Sequence, residues 1–279
     1  MMAAMIGPMN EKLAEFKGLA PAPLRAAFRA GGYRGPTTGL APGYLQCNLV
    51  ILPAAAAGYF TDYCAANPRP CPLLFAGDPG DPTLHAMGAG IDVRTDLPAY
   101  DLHRAGRPSE TVPDIADYWR DDSVALLLGC SLTFEEALVA AGVRLRHLER
   151  GGDIAAFRTD RTTTPAGPFA GDLVVSMRAI AEADVPRTHS ITAAFPYAHG
   201  APLHVGDPAV LGIVDVERPD WGEAPGLQPG ETAAFWACGV TSHLALVNAG
   251  LPLAITHSPG AMLIADLPAN EPPPTWLPS

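Results

Sequence analysis

The chain has 279 residues, 48% of them hydrophobic and 17% charged, and a formal net charge of −11. That size suits one large domain or two modest ones, and the composition excludes a disordered polymer. The acidity argues against a nucleic-acid partner, which wants a basic face, and no run approaches the ~20 apolar residues of a membrane-crossing helix.

Residues 1–10 read as a loose lead-in without the basic flank and apolar run of a signal peptide, and five cysteines without a pairing motif read as reduced thiols of a cytoplasmic protein. A short helix is expected over 11–18. A second helix over "PAPLRAAFRAGG" has Leu24, Ala27 and Phe28 at helical spacing and ends at Gly31-Gly32. "YRGPTTGLAPGY" is a loop, "LQCNLVILP" a buried strand, "AAAAGYFTDYCAAN" a helix, and "PRPCPLL" a rigid loop running into a short strand. Turns dominate 77–122, with a short helix at "DIADYW". Next come a strand over "SVALLLGC", a helix over "TFEEALVAAG", an irregular stretch at 149–172 and a strand over "DLVVSMRAI". Residues 189–208 mix strand and loop, and "AVLGIVDV" and "AAFWAC" read as strands. "SHLALVNAG" is a helix, "LAITH" and "AMLIADL" close the fold, and the Pro-rich tail is expected to be extended or mobile.

Strands without polar interruption, alternating with helices, predict an α/β fold: a mixed sheet covered by helices, in two related parts with a cleft between them. The expected domains are 1–110 together with 200–279, and a smaller one over 111–199.

The two parts come from an internal repeat. "LLLGCSLTFEEALVAAGV" (126–143) and "AFWACGVTSHLALVNAGL" (234–251) share seven of eighteen residues without a gap, Cys130/Cys238, Thr133/Thr241 and Gly142/Gly250 among them. His147 and His257 then follow the two helices at nearly matching offsets. Each copy reads as strand, cysteine, small residue, Thr and helix. The end of such a strand faces a cleft where ligands of α/β sheets bind. A cysteine just before a helix start is expected to have a lowered pKa and to favour anions. The competing reading is that both are small buried hydrophobes. All five cysteines (Cys47, Cys64, Cys71, Cys130, Cys238) lack a CxxC spacing, so neither a zinc ribbon nor a redox pair is indicated.

Other polar groups cluster. "HGAPLHVGDP" gathers His199, His204 and Asp207, suited to acid/base work, to a metal or to a structural loop; no metal motif supports the second. Arg94 and Asp96 in "DVRTDLPAY" are a loop-locking ion pair or an arginine fork for a carboxylate. Arg178, ending a buried strand, suits anion recognition, and Arg158 adds a second guanidinium. Gln46 and Asn48 alternate on one strand, as core amides or ligand contacts. Glu135 is a capping residue or a base. Ser131 and Thr241, in the two turns, complete the candidate substrate contacts. Without GxGxxG or a P-loop, no cofactor is expected.

In order, "TTGLAPGYLQCNLVILP", "YFTDYCAANPRPCPLL", "DVRTDLPAY", "GCSLTFEEAL", "GDLVVSMRAI", "HGAPLHVGDP", "FWACGVT" and "THSPGAML" resemble the hydro-lyase family of the D-glutamate cyclase group, over about residues 20–268. Leu132, Ala179, Ser242-His243 and Ala261 depart from the family's pattern. The resemblance implies a two-part α/β fold and loss of water from D-glutamate to give 5-oxo-D-proline. The expected partner is a small carboxylate or amino acid, with a homo-oligomer left open. Cys130, Cys238, His199, His204, Asp207, His257 and Glu135 are the candidate acid/base groups. Arg94, Asp96, Arg178, Arg158, Gln46, Asn48, Ser131 and Thr241 are the candidate substrate contacts. A non-catalytic carboxylate-binding protein is the alternative.

Overall fold

A computed structural model describes residues 15–150 and 152–276. The expected lead-in at 1–10 and the first half of the helix expected at 11–18 lie outside them. In chain order, helix α1 (Pro21–Arg29) precedes strand β1 (Tyr44–Pro53), helix α2 (Ala54–Ala66), β2 (Leu73–Ala76), β3 (Tyr100–Arg104), β4 (Arg107–Val112) and β5 (Ser123–Gly129). Helices α3 (Leu132–Ala140) and α4 (Arg146–Arg150) lead to β6 (Ala156–Thr162), β7 (Asp172–Ala181), helix α5 (Val185–Ala193), β8 (His204–Val205) and β9 (Glu231–Ala237). Helix α6 (Val240–Ala249), β10 (Ala254–His257) and β11 (Leu263–Pro268) complete the fold.

The strands form two sheets. The larger has seven strands in the order β2-β5-β1-β10-β3-β4, with β11 also on β1; the smaller has four in the order β6-β7-β9-β8. Every ladder between these strands is antiparallel. The fold is α/β as expected, with helices packed on the sheets, but the sheets are antiparallel where a mixed sheet was expected. The boundaries expected at 110 and 199 do not coincide with the sheet boundaries, because β5 pairs with β1 and β9 pairs with β7.

The unbroken apolar strands follow from burial on both faces. Successive side chains of a strand point to opposite sides. Leu45, Cys47, Leu49 and Ile51 of β1 enter the core between the sheets, where Leu127 of β5 and Trp236 of β9 join them. Val50 and Leu52 enter a second core under α2, against Phe60 and Tyr63. β9 repeats the pattern: Trp236 enters the central core and Phe235 a third core with Phe157 and Met177. A two-sided strand needs no polar alternation.

Both copies of the repeat fold as strand, cysteine turn and helix, as expected. The helices end at Gly142 and Gly250, whose φ angles of 81° and 62° need glycine's freedom. Four readings of the sequence are corrected. Residues 77–122 contain the β3–β4 hairpin, and the stretch at 149–172 contains α4's end and β6. Residues 189–208 hold the end of α5 and a 3-10 turn (Pro196–Ala198), with strand only at His204–Val205. "AVLGIVDV" is a 3-10 turn (Pro208–Leu211) and loop, because Gly212 turns left-handed (φ 74°) and leaves Val214 in solvent. The tail docks as far as Trp276, whose ring stacks edge-on against Tyr197 at 5.9 Å.

Two glycines separate a close approach from a mere helix position. A Cβ on Gly129 would lie 1.8 Å from the Tyr197 carbonyl oxygen, whereas one on exposed Gly58, inside α2, would meet nothing within 4 Å. Gly129→Ala is therefore expected to cost more than about 2 kcal/mol and Gly58→Ala to stabilise by about 1 kcal/mol. Urea denaturation of the two variants measures both.

Candidate active site

The β1 edge facing β10 and β11 is shared between them. β11 pairs with Tyr44 to Cys47 and β10 with Val50 and Ile51. Between the two ladders the chain of residues 258–262 loops away, and Asn48 and Leu49 have no strand partner on that side. A cavity of about 260 Å³ opens there, between the sheets. Cys130, Cys238, Asn48, Ser131, His199 and His257 all line it. The repeat's two cysteines thus come together in one hollow, one from the end of β5 and the other from the end of β9.

The two turns are built alike. Cys130 Sγ accepts the Leu132 N–H and Cys238 Sγ accepts the Val240 N–H, in each case the first residue of the following helix. The Cys130 and Cys238 carbonyls accept N–H groups from Thr133 (3.1 Å) and Thr241 (3.0 Å). One amide bridges the turns: Asn48 Nδ2 donates to the Gly129 carbonyl at 2.6 Å. The same nitrogen lies only 2.8 Å from where a Cβ on Gly239 would stand. Gly239 is therefore needed for the close approach, since its φ of −59° is open to any residue.

The expected lowering of the thiol pKa is overturned. Burial pushes Cys130 up to about 12, against the Leu132 N–H and the charge of Arg178. Burial also pushes Cys238 up, against the Val240 N–H and Arg178. Desolvation of a thiolate outweighs one amide and a helix start. Both thiols rest protonated.

Imidazoles form another wall. His199 Nδ1 lies 2.8 Å from the Arg69 carbonyl oxygen; a carbonyl only accepts, so Nδ1 carries the proton and Nε2 is a free acceptor. His199 is left-handed (φ 77°), a strained conformation for a non-glycine, and Arg69 also donates to its carbonyl. Leu49 N–H points at His257 Nδ1 at 3.2 Å, filling the gap in the β1 ladder, and the Leu49 carbonyl oxygen stands 3.4 Å from the same nitrogen. His243, in the first turn of α6, lines the cavity too, with His103 edge-on to it at 4.9 Å. Burial pulls His199, His243 and His257 down to about 4 each. Asp101 pulls His243 and His257 the other way without prevailing. The sequence reading missed His243 and His103. Position alone could have flagged His243, five residues after Cys238 on a cavity-facing helix.

Arg178 stands one layer behind the cavity. Its Nε and Nη2 donate to Glu135 Oε1 (3.0 and 2.5 Å), Nη2 also to Ser131 Oγ (3.0 Å), and Nη1 to Ser176 Oγ (3.3 Å). The guanidinium lies between the rings of Phe134 and Trp236, 5.2 and 5.3 Å from their centroids. His147 Nε2 is 2.9 Å from Glu135 Oε1, in an orientation that falls short of a hydrogen bond. Burial raises the Glu135 carboxyl, but Arg178 and His147 prevail and hold it below the ordinary range. Glu135 is thus a charge partner.

The remaining candidates lie elsewhere. Arg94 pairs with Asp92, and Asp96 is buried against Arg25 and Arg29, so both lock loops. Gln46 ties Thr37 and Leu40 together. Thr241 Oγ1 accepts the Val174 N–H at 3.0 Å. Arg158 belongs to a separate surface hollow with Arg218 and Asp220. His204 stacks on Phe235 and its Nε2 meets the Asp207 carbonyl, while the Asp207 carboxylate caps a turn at Ala209. His199 is thereby separated from the pair expected to join it. Among the described residues no three His, Cys, Asp or Glu side chains gather as a metal site, and no helix is long and apolar enough to cross a membrane.

A family model described as D-glutamate cyclase matches residues 124–266, the segment that carries both cysteine turns. A protein of Jannaschia sp. (strain CCS1) named "Putative hydro-lyase" is 51% identical over 255 residues, 91% of this chain and 96% of that protein. Proteins with the same name from Dinoroseobacter shibae and Rubrobacter xylanophilus are 51% and 52% identical over 88% and 87% of this chain, and 95% and 93% of their own.

Two measurements check the site's electrostatics. Iodoacetamide is expected to modify Cys130 and Cys238 far more slowly at pH 7 than a free thiol of pKa about 8.5, and faster as pH rises; mass spectrometry of the peptides reads this. Imidazoles that titrate near 4 when folded and near 6.5 when unfolded leave the unfolded chain binding more protons between those values. Stability is then full above about 6.5 and falls with pH towards 4. Urea midpoints across that range are expected to drop, less steeply in His243→Gln.

Proposed function

The chain belongs to the D-glutamate cyclase family, and from that premise we propose that it is a hydro-lyase that closes D-glutamate to 5-oxo-D-proline. One observation carries the reading: a single cavity holds protonated thiols and an imidazole with a free acceptor nitrogen, all uncharged. Ring closure needs a base at the amine and an acid at the departing oxygen.

His199 Nε2 takes protons from the α-ammonium, and the freed nitrogen attacks the γ-carboxyl carbon. The C–N bond forms and a C–O bond breaks. Cys130 and Cys238 supply protons to the leaving oxygen, which departs as water. Two protons move from nitrogen to that oxygen overall, and return of protons from His199 to the thiolates resets the site. Each thiolate formed in passing is steadied by its helix-start N–H and by Arg178. Arg178 does not touch the substrate in this scheme. It polarises Ser131, whose hydroxyl hydrogen is free to bind the α-carboxylate because its oxygen accepts from the guanidinium.

The test is turnover of D-glutamate, read as 5-oxoproline by chromatography. Cys130→Ala, Cys238→Ala and His199→Asn are each expected to lower kcat by about 10²–10⁴-fold. Because His199 stays neutral down to about 4, the rate should not fall near pH 6.5 as it would with an ordinary histidine base. No product from wild-type protein would remove the reaction; full activity in Cys130→Ala would remove the sulfur.

A further inference from the structure

Ring closure calls for unlike groups, a base and an acid, yet the cavity presents two sulfurs in matching surroundings. Each follows a buried strand and precedes a helix by one residue, and each accepts the N–H of the residue two further on. Each also feels the charge of Arg178. They come from different sheets, and the turns that bear them approach to the width of the Asn48 amide. Both thiols line the same cavity. Matched groups entering from two sides suit a reaction whose forward and reverse directions need the same group on opposite faces of one carbon.

We propose that this cavity also exchanges and inverts the α-hydrogen centre of small α-amino dicarboxylic acids, with Cys130 acting on one face of the α-carbon and Cys238 on the other. One sulfur enters as thiolate, its proton having been lost to bulk water at alkaline pH. It takes the α-proton: an S–H bond forms, the C–H bond breaks, and the electron pair spreads into the α-carboxylate. Ser131, backed by Arg178, stands at that carboxylate. The opposite thiol then gives its proton to the other face, so that thiol and thiolate have changed places and the enantiomer is formed. Protons alone move, and no oxidant or reductant is involved. The inference shares the carboxylate pocket of the proposed function but does not require ring closure.

The experiment incubates the protein in D₂O at pD 8 with D- or L-glutamate and D- or L-aspartate. Proton NMR follows loss of the α-hydrogen and, in the same spectra, appearance of 5-oxoproline; chiral chromatography follows inversion. Loss of the α-hydrogen from both enantiomers of at least one acid, with inversion, is expected from the wild type. Cys130→Ser and Cys238→Ser should each abolish inversion. Each should slow exchange of one enantiomer by at least about 100-fold, and the enantiomer affected should differ between them. No loss from any of the four acids overturns the proposal, as does loss of the same enantiomer in both variants. Should a serine variant not fold, inversion by the wild type alone decides. Ring closure without α-hydrogen exchange sinks this inference and spares the cyclase reading; exchange without 5-oxoproline does the opposite.

Discussion

The ion pair between Arg178 and Glu135 joins the two sheets and organises the site between them. Arg178 comes from β7 of the smaller sheet and Glu135 from α3, the helix that follows β5 of the larger one. Both are buried, with side-chain exposures of 1% and 5%. Desolvating two charges is costly, and removing one partner from such a pair typically costs about 3–5 kcal/mol. Here two further N–H groups go to Ser131 and Ser176 and the cation's faces meet Phe134 and Trp236, so hydrogen bonding and cation–π contact supplement the pair. One Arg178 nitrogen also reaches Ser131 in the Cys130 turn. A shift of either sheet would therefore disturb the charge pair and the cavity together.

The thiols show how burial and hydrogen bonding divide the work. A helix start next to a cysteine favours thiolate in an open setting. In this chain the first helical amide points at the sulfur in both turns, yet both sulfurs stay protonated because the cavity has little water to offer an ion. The amides matter only after a proton has left, when the thiolate finds a donor already in place. Three imidazoles are kept neutral by the same scarcity of solvent. The resting cavity contains proton donors and acceptors but little charge. Charge appears with the substrate, where fixed dipoles that need no reorganisation are worth most.

Much of this was legible in the residues. The repeat was visible because buried strands, a cysteine and a helix-ending glycine leave a local pattern, and Asn48, Ser131, His199 and His257 sit near such punctuation. The β3–β4 hairpin was missed because Ala105-Gly106, with φ of 49° and 73°, is a weak substitute for the Asn-Gly usually seen in this turn. β6 was missed because four of its seven residues face solvent, leaving no apolar run to notice. "AVLGIVDV" misled in the other direction, being apolar but broken by a left-handed glycine. Among the polar residues, Gln46 and Asn48 look alike in sequence. The first is enclosed by the loop at Thr37 and Leu40, and the second falls in the gap between β10 and β11. Arg94 and Arg178 differ in the same way: only the pairing of distant segments decides which guanidinium stands behind a cavity.

The site lies where regular structure is interrupted. If β10 and β11 formed one continuous strand along β1, Asn48 and Leu49 would be paired to backbone and no hollow would open. His257 can fill the gap because its imidazole accepts the amide that a strand would otherwise have taken. His199 reaches the cavity in a left-handed conformation that Arg69 holds at its ring and its carbonyl, and Gly129 lets that turn come close by having no side chain. Each irregularity has a residue that compensates it, and each compensating residue is on or beside the cavity wall. Strain and missing backbone bonds that are satisfied in this way persist because the surrounding packing over-determines them, and here that packing is the continuous two-sided core of β1, β5 and β9.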